Sequence, residues 1–243
     1  MIGEEEIVSV AEYLKVIKEY KEQTNHKGNQ EGFVFRGQAG DHPLIPKIGR
    51  LKPKGDLLST EHLLLQEFKR TNPLLIEARR PYDDWDYLTL GQHFGLPTRL
   101  LDWSNNALTA LWFATDTSKQ RNDSDYAVVW VLIADKDDYE LNIGGYHPFE
   151  IKETKIFQPR IIKQRINNQS GVFSIQTSAE VECKTELDKT DSFSQKVLKI
   201  KLKQQVFPGI RDDLNTLGVN AFTIFPELEG LCNYLQWRYF VDE

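Results

Sequence analysis

Long apolar stretches are missing from this chain. The longest, Val128 to Ala134, is far too short to span a bilayer. Cysteine is scarce as well: Cys183 and Cys232 are the two in 243 residues. Neither lies in a CxxC or Cys/His spacing, which excludes a disulfide framework and argues against a metal site. Both are expected to be reduced, buried thiols. The N-terminus, Met1 to Glu6, is acidic and lacks the basic-then-apolar layout of a signal peptide. A cytoplasmic protein with no membrane partner is the resulting expectation. Phosphate-cradling glycine motifs are absent, since neither GxGxxG nor GxxxxGK[ST] occurs. No HExxH, no GxSxG and no histidine cluster occurs, so no metal is expected. Net positive charge is absent too. At −6, the chain repels nucleic acid at long range, although a local basic groove stays open to it.

What is present is ordinary globular composition, with 27% charged residues and enough length to bury a sizeable core. Apolar spacing predicts an amphipathic helix over 7–22. A short buried strand follows at Phe33 to Gly37, then an ordered loop over 38–54. A helix capped by Ser59 or Thr60 is expected to run to about Arg79, and another from Trp85 to Phe94, stopped by Gly95 and Pro97. Arg99 to Asp102 is strand-like, and Asn105 or Asn106 opens the next helix. Tyr126 to Asp135 is the clearest buried strand, with weaker strands at 155–163, 171–177 and 197–203. Helices are expected at 209–217 and 228–237 around a strand and turn at 222–226. Helices in the first half and strands in the middle indicate an α+β fold. One domain is expected, with a mixed or antiparallel, split sheet and flanking helices.

Chemistry concentrates in two places. Arg36 leaves the buried Phe33-Val34-Phe35 strand, and its permanent charge must find carboxylate, phosphate or carbonyl partners. It is read either as a buried salt bridge to Asp102 or as a fork that grips an anionic ligand. The second concentration is Gly91 to Ser104, with Gln92, His93, Thr98, Arg99, Asp102, Trp103 and Ser104 in one helix-turn-strand unit. His93 near a helix C-terminus feels the negative end of the dipole, which favours its protonated form. Asp102 or Ser104 is read as the cap of the following helix, whose free N–H groups attract anions. Trp103 is read as core or as a stacking face.

These residues carry a resemblance to the FRG-domain family. Phe35-Arg36-Gly37 is its signature, and the Gln92–Ser104 unit with Ala107, Ala110 and Phe113-Ala114 resembles its second hallmark. Arg165, Gln169, Gly171 and Phe173 resemble a third block, and Phe225 to Gly230 resembles the closing one. The resemblance runs from about 30 to 238, leaving 1–29 as an N-terminal helix and loop. Such proteins are associated with bacteria and phages, which implies a defence or toxin setting. A weaker similarity, to arginine-class ADP-ribosyltransferases, covers Arg36-Gly37, the Thr98–Ser104 segment and Ala110 to Ala114. It implies an ADP-ribosyltransferase-like sheet and NAD as substrate. Arg36, Gly37 and Gln38 would hold its phosphates. Gln92, Thr98, Arg99, Trp103 and Ser104 would line the pocket, and His93, Asp102, Gln169 or Glu227 would act near the scissile bond. The catalytic glutamate of that class has no clear counterpart. Glu180 and Glu182 form a Glu-x-Glu pair in a charged stretch, and Glu227 and Glu229 fit the first turn of a helix.

Three functional readings follow. The first is NAD binding with ADP-ribosyl transfer to a protein or nucleic-acid acceptor, or NAD hydrolysis. The second is metal-independent RNA cleavage by His93 and Asp102 with Arg36 and Arg99. The third is a noncatalytic module for a nucleotide or protein partner.

Overall fold

A computed structural model of the protein describes residues 2–24, 30–71, 81–116, 124–160 and 171–240. The expectations at Arg165 and Gln169 lie outside these residues. In chain order the described elements are β1 (Gly3–Glu6), α1 (Val10–Thr24), β2 (Gln30–Gln38), α2 (Lys47–Arg50), α3 (Leu57–Thr71), α4 (Asp84–His93), β3 (Leu100–Ser104) and α5 (Ala107–Ala114). They continue with β4 (Tyr126–Asp135), β5 (Lys155–Phe157), β6 (Gly171–Ile175), α6 (Ser178–Glu182), β7 (Val197–Lys203), α7 (Phe207–Thr216), α8 (Ala221–Ile224) and α9 (Leu228–Tyr239).

The strands form one seven-stranded mixed sheet in the order β1-β7-β4-β2-β3-β6-β5. β4 is buried along its length because Val, Leu, Ile and Trp fill both of its faces, the composition that a central strand covered on both sides requires. β2 alternates instead. Phe33 and Phe35 pack under α1, α5, α7 and α8, whereas Val34 joins Leu101, Trp103, Trp130 and Leu132 on the other face. A third cluster packs Trp85 and Leu88 of α4 and Leu65 of α3 on Leu100, Phe173 and Ile175.

Two details place the site. Gly37 lies under α5, where a Cβ would collide with the Ala110 carbonyl oxygen and press on the Ala114 amide. Glycine therefore lets helix and strand backbones meet. The sheet also parts between its fourth and fifth strands. β2 pairs with β4 over most of its length but meets β3 at a single position, Phe35 opposite Ser104. Beyond it, Arg36 to Gln38 and Leu100 to Trp103 have no ladder between them.

Several expected boundaries change. The capping bond of α3 comes from Asp56, whose carboxylate accepts from the Ser59 amide. A strand expected at 222–226 is the short helix α8, because the Asn220 side chain accepts from the amides of Phe222 and Thr223 and starts a turn there. Gly3–Glu6 is an unforeseen edge strand, drawn into the sheet by parallel pairing with β7. Both cysteines are exposed, not buried. No helix among the described residues is long and apolar enough to cross a membrane.

Candidate anion-binding site where two strands part

Arg36 stands at this parting. Its Nη1 donates to the Asp102 carbonyl oxygen at 2.8 Å, a β3 acceptor that lies beyond the single β2–β3 pairing. The guanidinium thus stands in for a missing ladder partner. The Asp102 carboxylate is 3.7 Å from Nη1, too long for a hydrogen bond. It is drawn aside by Gln92, whose amide donates to Oδ2 at 2.9 Å. The Arg36 Nε is buried and has no hydrogen-bond partner among the described residues. The Arg36 side chain is 17% exposed, while that of Asp102 is 59% exposed and kept in water.

Electrostatically this arrangement is lopsided. Burial pulls the Arg36 pKa below the ordinary arginine range; Asp102 pulls it back up, and the nearby Arg50 charge pushes it down again. An arginine stays charged regardless, so the desolvated cation is incompletely compensated. An arriving anion would supply what is lacking.

The rim is tied together by polar contacts that the chain order does not display. Thr98 donates to the Gln92 side-chain oxygen at 2.5 Å and its hydroxyl accepts from the Leu100 amide at 3.2 Å. The Thr98 carbonyl accepts from the Ile48 amide at 3.3 Å, docking α2 against this turn. Lys47 on α2 donates to the Gly95 carbonyl at 2.7 Å. Lys47 and Arg50 therefore belong to the rim. They sit in the stretch read from sequence only as an ordered loop, where nothing in their spacing marks them.

The expected site residues divide accordingly. Arg36, Gln92, Thr98 and Asp102 are brought into one connected group, and His93 ends α4 beside it, its ring 5.0 Å from that of Phe94. Gln38 flanks Arg36 on β2 and accepts from the Trp130 indole at 2.6 Å. Others are placed elsewhere. Trp103 is 3% exposed and its indole donates to Ser174 at 3.0 Å, so its ring is core and offers no stacking face. Arg99 is enclosed in an ion pair with Glu61, its Nε donating to Oε1 at 2.9 Å, which removes it from solvent. Ser104 is buried and accepts from the Asn106 amide at 3.0 Å. The cap of α5 is Asn106, which accepts from the amides of Leu108 and Thr109, not Asp102 or Ser104. Gly37 faces the α5 backbone. Glu180 forms a capping box with Thr177 at the start of α6. Glu227 sits at the N-cap of α9, just after Phe225, which packs on Trp112 and Phe113 of α5. That puts it in the helical layer over the Phe35 face. Among the described residues no group of three His, Cys, Asp or Glu could hold a metal ion.

Fold and site together define a mixed α/β protein whose open sheet parts around an undercompensated arginine. Residues 31–123 match the family model of the FRG domain, and the matched stretch contains the whole Arg36–Asp102 group. No curated protein and no solved structure matches the chain.

Proposed function

We propose that this FRG domain binds a phosphate-bearing nucleotide, NAD or a close relative, with Arg36 as the anion clamp. One observation carries the reading. Arg36 has a buried Nε without a partner among the described residues, and a carboxylate neighbour held 3.7 Å away by another residue. An arginine serving only as scaffold would be expected to close a bidentate pair. Arg50 and Lys47 add positive charge at the rim, where the phosphates would enter. The net charge of −6 does not oppose this, because binding depends on local potential.

Cleavage of NAD is the reaction such binding would serve. The bond from nicotinamide to ribose breaks, and nicotinamide leaves with the bonding pair. Water or a macromolecular acceptor then attacks the ribose carbon and loses a proton. Asp102 is the carboxylate at hand to stabilise the developing positive charge. Titration calorimetry of the purified protein with NAD and with ADP-ribose tests binding, and chromatographic detection of free nicotinamide tests cleavage. Arg36→Lys keeps a cation but loses the fork, and is expected to weaken binding at least roughly tenfold. If wild-type protein binds neither compound at millimolar concentration, the proposal fails.

A further inference from the structure

Asp102 meets Arg36 with its backbone and not with its charge. Its carbonyl oxygen accepts from Nη1 at 2.8 Å, while the carboxylate of the same residue stays 3.7 Å away. An unrestrained carboxylate would close that gap of about 1 Å, because a charge-assisted hydrogen bond settles at roughly 2.7–2.9 Å. The restraint can be followed donor by donor. The Leu100 amide has only a hydrogen to give, and the Thr98 hydroxyl oxygen accepts it at 3.2 Å. The Thr98 hydroxyl in turn donates to the Gln92 side-chain oxygen at 2.5 Å. That leaves the NH2 end of the Gln92 amide for Asp102 Oδ2, at 2.9 Å. Turning the amide over would set its oxygen against a carboxylate oxygen, two acceptors with no hydrogen between them. The polarity is therefore fixed from one end to the other. The relay leaves the first residue of β3, crosses the turn to the end of α4, and returns to β3 two residues further on. Its base is firm, since Thr98 is buried and its carbonyl accepts from the Ile48 amide of α2.

We propose that Thr98 and Gln92 are positioning residues for anion binding: they hold the Asp102 carboxylate off Arg36 and so keep the guanidinium open to a ligand. This rests on the anion-clamp reading and adds to it the residues that stop the clamp from closing on the protein itself. Without them Asp102 would pair with Arg36, and an incoming phosphate would have to displace it.

The experiment is calorimetry with inorganic pyrophosphate on wild-type protein, Gln92→Ala, Thr98→Val and Thr98→Ser, and on Asp102→Asn with and without Gln92→Ala. Alanine suits a helix interior, and circular dichroism confirms that each variant is folded. Gln92→Ala is expected to bind pyrophosphate roughly twofold to fivefold more weakly, the size of a partly exposed ion pair that the ligand must now break. Thr98→Val should weaken binding in the same direction, and Thr98→Ser, which keeps the hydroxyl, should restore it. In the Asp102→Asn background no charge is left to restrain, so adding Gln92→Ala should change nothing. A loss of equal size in both backgrounds overturns the proposal, since Gln92 would then act on the ligand or the turn directly. Unchanged affinity in Gln92→Ala also overturns it and leaves the clamp standing. If pyrophosphate does not bind wild-type protein, the clamp itself has failed and the relay's role with it.

Discussion

Two arginines contact the residues at or around β3, and they live in opposite conditions. Arg99, just before the strand, is wholly enclosed. Glu61 accepts from its fork, the Gln176 carbonyl and Ser178 hydroxyl accept from Nη1, and the Phe149 ring covers it at 4.2 Å. Among the described residues, Arg36, on β2 beside β3, has one backbone carbonyl, a distant carboxylate and an Nε without a partner. The residue type is the same, and what differs is whether the surroundings complete the hydrogen-bonding demand of the fork. A completed arginine ties elements together, here α3, the start of β3 and the segment after β6. An incomplete one retains capacity for a partner from outside.

The sharpest way to break the contrast is to remove the partner of Arg99. Glu61→Gln leaves a buried cation without its counter-charge and is expected to cost about 3–5 kcal/mol, read as a large drop in the urea midpoint. A loss under about 1 kcal/mol would mean that Arg99 is no more committed than Arg36. Gly37→Ala comes next. It forces a methyl group into the α5 backbone and should destabilise by about 1–3 kcal/mol, whereas Gly32→Ala on the same strand, where a Cβ meets open space, should cost much less. Similar losses in both would show that β2 tolerates movement of α5. Asp102→Asn sharpens the other half. The pair is long and its carboxylate is largely solvated, so stability should change by less than about 1 kcal/mol. With the competing negative charge gone, pyrophosphate should bind a few-fold more tightly; weaker binding would assign Arg36 to scaffolding.

The smallest effect concerns pH, beside Arg99. The Phe149 ring that covers Arg99 also meets His62 and His147, which stack on each other at 5.5 Å. Burial is the main cause that lowers the His147 pKa; Asp84 and Glu150 oppose it, and His62 and Lys69 add to it. With its folded value below the unfolded one of about 6.5, His147 binds fewer protons folded than unfolded. Its stability contribution is complete above that pH and is lost as pH falls through the depressed value. Thermal midpoints should therefore decline between pH 7.5 and 5.5, and His147→Asn should flatten the decline. An identical slope in the variant would remove His147 from the account.

Much of this was readable along the chain. β4 announced itself because a strand covered on both faces must be apolar throughout, and the region 197–203 is β7 at the expected bounds. Arg36, Gln92, Thr98 and Asp102 were legible as a group because most of them fall within eleven residues. Glu61 was not, since it lies 38 positions from Arg99 and looks like any glutamate in the first half of a helix. Lys47 and Arg50 had no periodicity to expose them. The short helix α8 reads as a strand along the chain because Phe222 to Phe225 favours extension locally, and the Asn220 cap overrides that preference.

Residue order alone settled what short-range chemistry can settle: which segments are apolar enough to be buried, where helices stop, and that a permanent positive charge follows an apolar run at position 36. Whether that charge is satisfied depends on how far β2 and β3 stay paired and on which side chain restrains Asp102. Those are matters of register and approach between distant segments, so only the folded sheet could decide them.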